Sequence, residues 1–296
     1  MPSSIMNDKI LVIGQGFLGV QIASYFESRA KMVIVDYPEV DITNDVLLRD
    51  VIKKYQPSIV INAAAFADTH AAEKPENHAK VFDVNVRGAV NLLMLARQFK
   101  FRLVHIGTGM IFDGAGTTFR ETDTPNPTSY YAWTKACADA CLTPFCASDN
   151  VLITRIHLPI SDISSPKNLL SKMVAFNSFA TDLSSFTVVD DYLSVLEQLL
   201  SQGSSGVFHI TNASAISFFD IAQMLQKHGL ISQQKLLNKT TIDQINKTID
   251  TKGGARQTKT ILNIDKLTQN GIVMSDVKPS VERCIIKLKS NISHDH

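Results

Sequence analysis

The chain reads as an α/β protein, a doubly wound parallel sheet followed by a smaller C-terminal part. Two observations carry that reading. From Lys9 to Asp191 short β-branched apolar runs alternate with segments of helical period, the pattern of successive βαβ units. A glycine-rich turn sits between the first such run and the first helix, where a doubly wound sheet needs it. The runs are KILVIG (Lys9 to Gly14), KMVIVD (Lys31 to Asp36), SIVINAA (Ser58 to Ala64), RLVHIG (Arg102 to Gly107) and VLITRI (Val151 to Ile156). Each is nearly continuous in apolar residues, as expected of parallel strands covered on both faces.

The crossovers fall at Gly19 to Ala30, Asp45 to Tyr55, His78 to Phe99 and Tyr130 to Leu142, and right-handed connections through them build the sheet. Past Arg155 the alternation loosens. A Ser/Pro segment (SDISSPKN) precedes helix-like NLLSKMVAF and YLSVLEQLL, strand-like GVFHIT and helix-like SFFDIAQMLQKHG. A polar stretch from Ser232 to Lys259 and a last helical VERCIIKL end the chain, and no internal repeat is visible. The expected division is a dinucleotide-binding domain at 1–160, completed by 181–211, and a substrate-binding part at 161–180 and 212–296.

Gly14, Gly16 and Gly19 form G-x-G-x-x-G directly after a strand and ahead of a helix, the fingerprint of the Rossmann fold. Gly14 permits the tight turn, Gly16 lets a pyrophosphate approach the backbone, and Gly19 allows the helix to pack closely on the strand. Phe17 and Leu18 complete the turn. Asp36 closes the second run at the separation of about 20 residues expected for the carboxylate that accepts the ribose hydroxyls. Its charge repels a 2′-phosphate, so the expected cofactor is NAD(H), with NADP(H) the alternative.

Composition narrows the partners. The 296 residues carry 29 basic and 28 acidic side chains, a formal net charge of +1, which offers no electrostatic footprint for nucleic acid. No run approaches the length of a membrane span, and MPSSIMNDK lacks the apolar core of a secretory signal. A cytoplasmic protein is the expectation. The four cysteines, Cys137, Cys141, Cys146 and Cys284, show no C-x-x-C spacing and read as reduced thiols. Cys137 and Cys141 share a helical face without further nearby ligands, so no metal is expected.

After the fourth strand comes GTGMIFDG, and PNPTSYYAWTKACAD then places Tyr131 and Lys135 four residues apart. On a helix these share a face. A lysine beside the phenol favours the phenolate and lowers a pKa otherwise near 10, which suits proton transfer near neutral pH. Tyr130, five positions from Lys135, fits less well. Thr108, at the C-terminal end of a strand where such sheets bind ligands, can donate its hydroxyl to the same substrate oxygen.

These residues resemble the extended short-chain dehydrogenase/reductases, and among them the dTDP-4-dehydrorhamnose reductases. The resemblance covers almost the whole chain: the glycine turn, VDYPEVDIT, QPSIVINAAAFAD, VNVRGAVNLL, TGMIFDG, FRETDTPNPTSYYAWTK, GVFHITN and ARQTKTILNIDKL. It implies Tyr131 as general acid, Lys135 as its support and the holder of the nicotinamide ribose, and Thr108 as the group polarising the carbonyl. It also implies a cofactor site that takes in Asp41, Ile42, Asn62, Ala63, Ala64 and Ala65, and a nucleotide-linked 4-keto-6-deoxyhexose as substrate, in deoxysugar biosynthesis. Substrate contacts are expected at Met110, His157, Asn168 and Arg256, the last where the family has ARRP. A homodimer is the candidate assembly.

The chain departs from the family at three points. Its turn is shorter than the common GxxGxxG, Gly109 stands where bacterial members carry Asp, and Met110 stands where the similar reductase half of plant UDP-rhamnose enzymes has the Cys of TGCIF. A thioether cannot move a proton, so the expectation is ketone reduction without epimerisation. The alternatives are a non-catalytic regulatory subunit that keeps the cofactor fold, and a nucleotide-sugar epimerase or dehydratase.

Overall fold

The computed structural model describes residues 5–114, 118–252 and 254–294. They fall into two compact units, the first made of 1–111, 125–155 and 196–208, the second of 112–124, 156–195 and 209–296. The segment 181–211, expected to complete the first domain, is therefore divided, with 196–208 in the first unit and 181–195 and 209–211 in the second.

In the first unit the expected strands form β1 (Lys9–Ile13), β2 (Lys31–Val35), β3 (Ile59–Asn62), β4 (Arg102–Thr108) and β5 (Val151–Ile156). GVFHIT adds β6 (Gly206–His209). The order across the sheet is β6-β5-β4-β3-β1-β2, and β1 pairs in parallel with both β2 and β3, as β3 does with β4. The chain direction of winding thus reverses between β1 and β3, the crevice where doubly wound sheets take ligands. β1, β3, β4 and β5 are buried almost throughout, whereas only Val35 of β2 is fully buried. Continuous burial was expected of every strand; β2 differs because it lies at the sheet's edge.

The crossovers are α1 (Phe17–Phe26), α2 (Asp45–Tyr55), α3 (His78–Phe82), α4 (Gly88–Phe99) and α5 (Tyr130–Leu142). The single helix expected over His78 to Phe99 is broken by a π-turn at Asp83–Arg87, an insertion common at functional sites. The side chain of Asn44 caps α2 by accepting from the N–H groups of Val46 and Leu47. Leu11, Ile13, Val60, Leu92, Leu103 and Ile153 lie at the centre of the core between sheet and helices. Arg102 is buried at the foot of β4, where its guanidinium donates to the carbonyl oxygens of Leu199, Leu200 and Ser204. It thereby adds a charged donor to the last carbonyls of α6 (Val189–Ser201), which also accept from Gly203 N and Ser204 N.

The second unit has its own core, around Ile160, Leu170, Phe179, Phe186, Ile221, Val281 and Ile285. Its short strand pairs join Pro159–Ile160 to Thr187–Val188, Leu183–Ser184 to Ile216–Ser217, Ser178–Ala180 to Asn238–Thr240 and Thr118–Phe119 to Ile261–Leu262. The polar stretch from Ser232 to Lys259, which gave no periodic signal, contains a strand at Asn238–Thr240 and a helix at Ile242–Lys252. That helix buries Ile242 and leaves most of its length polar. No described helix is long and apolar enough to cross a membrane.

The turn after β1 sets the separation of α1 from the sheet. A Cβ on Gly19 would stand 1.9 Å from the Gly14 carbonyl oxygen, while one on Gly16 would meet nothing within 4 Å. Gly19→Ala is expected to lower the unfolding free energy by several kcal/mol, in the range of overpacking, and Gly16→Ala by less than about 1 kcal/mol. Urea denaturation of the two variants tests this, and equal losses would contradict the packing described.

Candidate active site

The glycine turn and the strand ends build one wall of the site. Gly14 holds φ at +106° and sits so close to β3 that a Cβ would lie 2.7 Å from the Ala64 nitrogen. Gly16 caps α1 with no side-chain bond to the helix, so the first-turn N–H groups of Phe17, Leu18 and Gly19 are left for a ligand. Asp36 is anchored to this turn: its Oδ2 accepts from Gln15 N at 3.0 Å and its Oδ1 from Tyr37 N at 2.9 Å. Each carboxylate oxygen keeps a lone pair for a hydroxyl. Open space at Gly16, uncapped donors, an oriented carboxylate and the small residues Ala63, Ala64 and Ala65 together fit a dinucleotide.

Asp41 and Ile42 are placed differently. The Asp41 carboxylate accepts from the backbone and hydroxyl of Thr43, and Ile42 is packed in the core against Gly88, its carbonyl accepting from Asn91. Both are used in shaping the loop after β2.

The second wall is α5. Ser129 caps it by accepting from Ala132 N, and the Glu73 carboxylate accepts from Tyr130 N at 3.0 Å and Tyr131 N at 3.3 Å. A negative charge is thus set against the positive end of the helix. Asn85, on the π-turn, donates to Thr134 Oγ1 and accepts from Phe66 N, while Thr134 Oγ1 donates to the Tyr131 carbonyl. The two tyrosines are told apart by their partners. Tyr130 is stacked on His78 with ring centroids 3.8 Å apart, and its hydroxyl donates to the His78 carbonyl. Tyr131 has no such tie among the described residues.

Lys135 is 3% exposed; its Nζ donates to the Ile106 carbonyl at 2.8 Å and lies 3.3 Å from His105 Nε2. The bond to Ile106 draws the Tyr131 and Lys135 face of α5 onto the end of β4, where Thr108 lies. Thr108 Oγ1 accepts from Met110 N at 3.2 Å, which leaves its own proton to donate elsewhere. One turn beyond Lys135, Asp139 pairs with Arg155 at 2.7 Å in a nearly solvent-free setting. Burial raises the pKa of Asp139, against the opposing effects of Arg155 and Lys135.

The ionisation differs from the sequence expectation. Burial pushes the Tyr131 phenol up to about 12 and the Lys135 ammonium down to about 8, the Asp139 charge working in the other direction. The expected lowering of the phenol fails because the Lys135 nitrogen is turned to His105 and Ile106. Glu73, Asn85, His105 and Asp139 went unassigned in the sequence. Asn85 lay in VNVRGAVNLL, His105 in the strand RLVHIG and Asp139 at the end of PNPTSYYAWTKACAD, whereas Glu73 lay in no segment that carried a signal.

The substrate contacts expected in the second unit divide. His157 is buried, with its N–H on Thr187 Oγ1 and neither ring nitrogen partnered among the described residues. Asn168 has its amide used up: Nδ2 donates to the Ser161 and Ile163 carbonyls and Oδ1 accepts from Leu170 and Ser161 N. It is the cap of the helix Leu169–Met173. The Arg256 guanidinium, expected on a phosphate, instead grips both oxygens of Asp250 at an exposed position. All four cysteines are free, and the described residues hold no cluster of metal ligands.

A six-stranded sheet with a glycine turn after β1 and a carboxylate at the end of β2 defines a Rossmann-type nucleotide-binding protein. Within that class the chain belongs to the RmlD substrate binding domain family, whose profile matches residues 8–290. It is 26% identical over 284 residues to the dTDP-4-dehydrorhamnose reductase of Aggregatibacter actinomycetemcomitans, covering 90% of this chain and 95% of that one. It is 28% identical over 231 residues to a trifunctional UDP-glucose 4,6-dehydratase/UDP-4-keto-6-deoxy-D-glucose 3,5-epimerase/UDP-4-keto-L-rhamnose-reductase of Arabidopsis thaliana. That match covers 74% of this chain, which spans only 34% of the plant protein's length. The fold is shared with the dTDP-4-dehydrorhamnose reductase of Bacillus anthracis crystallised in complex with NADP, at a TM-score of 0.84 and 21% identity over 95% of this chain and all of that one.

His157 carries a pH prediction. Burial lowers its pKa from 6.5 to about 4, so between these values the unfolded chain binds a proton that the folded one refuses. Stability is complete above about pH 6.5 and is lost as pH falls toward 4, by about 3 kcal/mol for this one group. His157→Gln should flatten the dependence of the urea midpoint on pH across that window; an unchanged slope would show that the imidazole charges freely in the fold.

Proposed function

We propose that this protein is a nicotinamide-dependent reductase of a nucleotide-linked 4-keto-6-deoxyhexose, in deoxysugar biosynthesis. The observation that supports the reading is the Lys135 bond to Ile106, which brings α5 to the end of β4 two residues before Thr108. The names of the relatives support it, with carriers of dTDP and UDP among them.

The phenol of Tyr131 keeps its proton at neutral pH and delivers it to the oxygen of the ketone as that oxygen becomes an alkoxide. The Thr108 hydroxyl, free to donate because Met110 N occupies its acceptor side, shares the same oxygen and stabilises the growing charge. Lys135 secures the ribose of the cofactor, and Asp36 accepts from the hydroxyls of the other ribose. When bound, the nicotinamide supplies the hydride that these side chains cannot. Gly109 and Met110 carry no group able to remove and return a proton, which favours reduction over epimerisation or dehydration. Met110 is proposed to line the sugar site.

Purified protein given NADH or NADPH and a panel of UDP-, dTDP- and GDP-4-keto-6-deoxyhexoses should oxidise the cofactor with at least one carrier. Tyr131→Phe should then cut turnover by roughly a hundred- to ten-thousandfold with cofactor affinity nearly intact, while Tyr130→Phe retains activity. Retained turnover in Tyr131→Phe would overturn the assignment.

Calorimetry should find NADH bound at least as tightly as NADPH, because the anchored Asp36 carboxylate meets the 2′-position. Asp36→Ala should narrow that difference. A clear NADPH preference in the unaltered protein would show that Asp36 does not face the ribose.

A further inference from the structure

Tyr131 is placed by its backbone. Its phenol has no hydrogen bond among the described residues, so the oxygen that meets a ketone sits where the first turn of α5 puts it. Three N–H groups at that end have no carbonyl within the helix to reach, because Trp133 N, on the Ser129 carbonyl, is the first to find one. Ser129 Oγ accepts from Ala132 N at 3.2 Å. The other two, Tyr130 N and Tyr131 N, donate to the two oxygens of one carboxylate, Glu73 Oε2 at 3.0 Å and Oε1 at 3.3 Å. The Tyr131 carbonyl accepts from Thr134 Oγ1 at 2.8 Å, and that oxygen accepts from Asn85 Nδ2 at 3.1 Å. Side chains therefore hold both polar backbone groups of this residue.

Both holds lead back to the segment that leaves β3. Asn85 accepts from Phe66 N at 2.8 Å and donates to the Phe66 carbonyl at 3.4 Å. Glu73 directly follows the short helix Thr69–Ala72, which Asp68 caps by accepting from Ala71 N at 2.9 Å. Asn77 Nδ2 donates to the Ala71 carbonyl at 2.8 Å, and Ala72 is fully buried. The turn that carries Glu73 is thus fixed on both sides. Its carboxylate has no ion-pair partner among the described residues, so its charge acts on the N-terminus of α5, where a negative group is favoured.

We propose that Glu73 is a positioning residue for the proton donor: its carboxylate fixes the backbone of Tyr131, and with it the phenol, for transfer to the ketone oxygen. The inference rests on the reading of Tyr131 as the general acid. Proton transfer needs hydrogen-bond reach, about 2.6 to 3.2 Å, and a misplacement of about 1 Å can cost a hundredfold in rate. Without Glu73 the first two N–H groups of α5 turn to water and the helix end frays. Tyr130 keeps a second hold, its ring on His78 and its hydroxyl on the His78 carbonyl. Tyr131 has none, so the loss falls on the acid. The segment 66–73 starts directly after Ala63, Ala64 and Ala65, so the strand that borders the dinucleotide also sets the acid.

One arm of the test needs no substrate. Amide hydrogen exchange followed by NMR on the full chain should find Tyr130 and Tyr131 exchanging about tenfold faster or more in Glu73→Ala, with Ala132 little changed. Ser129→Ala removes the other cap of the same helix and should free Ala132 while the Tyr131 amide stays protected. In the reductase assay Glu73→Ala should lower kcat by roughly ten- to a hundredfold, with the ketone KM and the cofactor affinity within about twofold of the unaltered protein. Ser129→Ala should lower kcat by less than about threefold. An unchanged Tyr131 amide in Glu73→Ala overturns the proposal, as does full turnover in that variant, an equal loss of kcat in Ser129→Ala, or a loss carried by KM. If Glu73→Ala does not fold, Glu73→Gln replaces it, since the amide keeps one acceptor and sets a donor against the other N–H. Amides that respond as stated in a protein that reduces no ketone with any carrier refute the assignment of function and leave Glu73 a helix cap alone. Reduction that Glu73→Ala does not slow refutes only this inference.

Discussion

A methyl group at position 19 would overlap the carbonyl of Gly14, and one at position 14 would press into the backbone of Ala63 and Ala64. The turn after β1 must therefore be bare, and because it is bare three backbones meet at the point where the sheet reverses its winding. That contact sets α1 with its uncapped end over the crevice, brings Gln15 N within reach of Asp36, and presses Ala64 where its N–H can orient Asn62. From Asn62 the polar chain runs through His105 to Lys135 on α5. A constraint of backbone sterics thus extends into the electrostatics of α5.

α5 is held at three levels. Its N-terminus is fixed by Ser129 and the Glu73 carboxylate, its first turn by Thr134 and Asn85 from the π-turn, and its middle by Lys135 on Ile106. The π-turn belongs in this list: an extra residue in the helix His78–Phe99 turns Asn85 inward, where it bridges Phe66 and Thr134. A buried, fully bonded amide of this kind is costly to leave half-paired, and so it specifies one register for the helix. The ion pair of Asp139 and Arg155 lies below Lys135 and follows the same logic, since neither charge is tolerable there alone.

The second unit keeps several of its polar residues occupied. Asn168 is a cap and Arg256 an ion-pair partner of Asp250, so residue type and position in the chain were poor guides to what these groups do. His157 differs: it is buried, and neither ring nitrogen has a hydrogen-bond partner among the described residues.

The sequence by itself determined the sheet, the bounds of α2 and α5, and the glycine turn with Asp36. These follow from periodicity, from β-branched runs and from short fixed spacings, all of which act between neighbours in the chain. The helix Ile242–Lys252 escaped because its polar surface hides a sparse apolar stripe, and the π-turn because its signal is one residue of insertion. Only the tertiary structure decided which way Lys135 turns, that burial raises rather than lowers the pKa of Tyr131, that Tyr130 is tied to His78, and that Glu73, Asn62 and His105 serve the same helix. Ionisation and hydrogen-bond polarity depend on dielectric surroundings and on partners 30 to 58 residues away in sequence, and these distances close only when the sheet has formed.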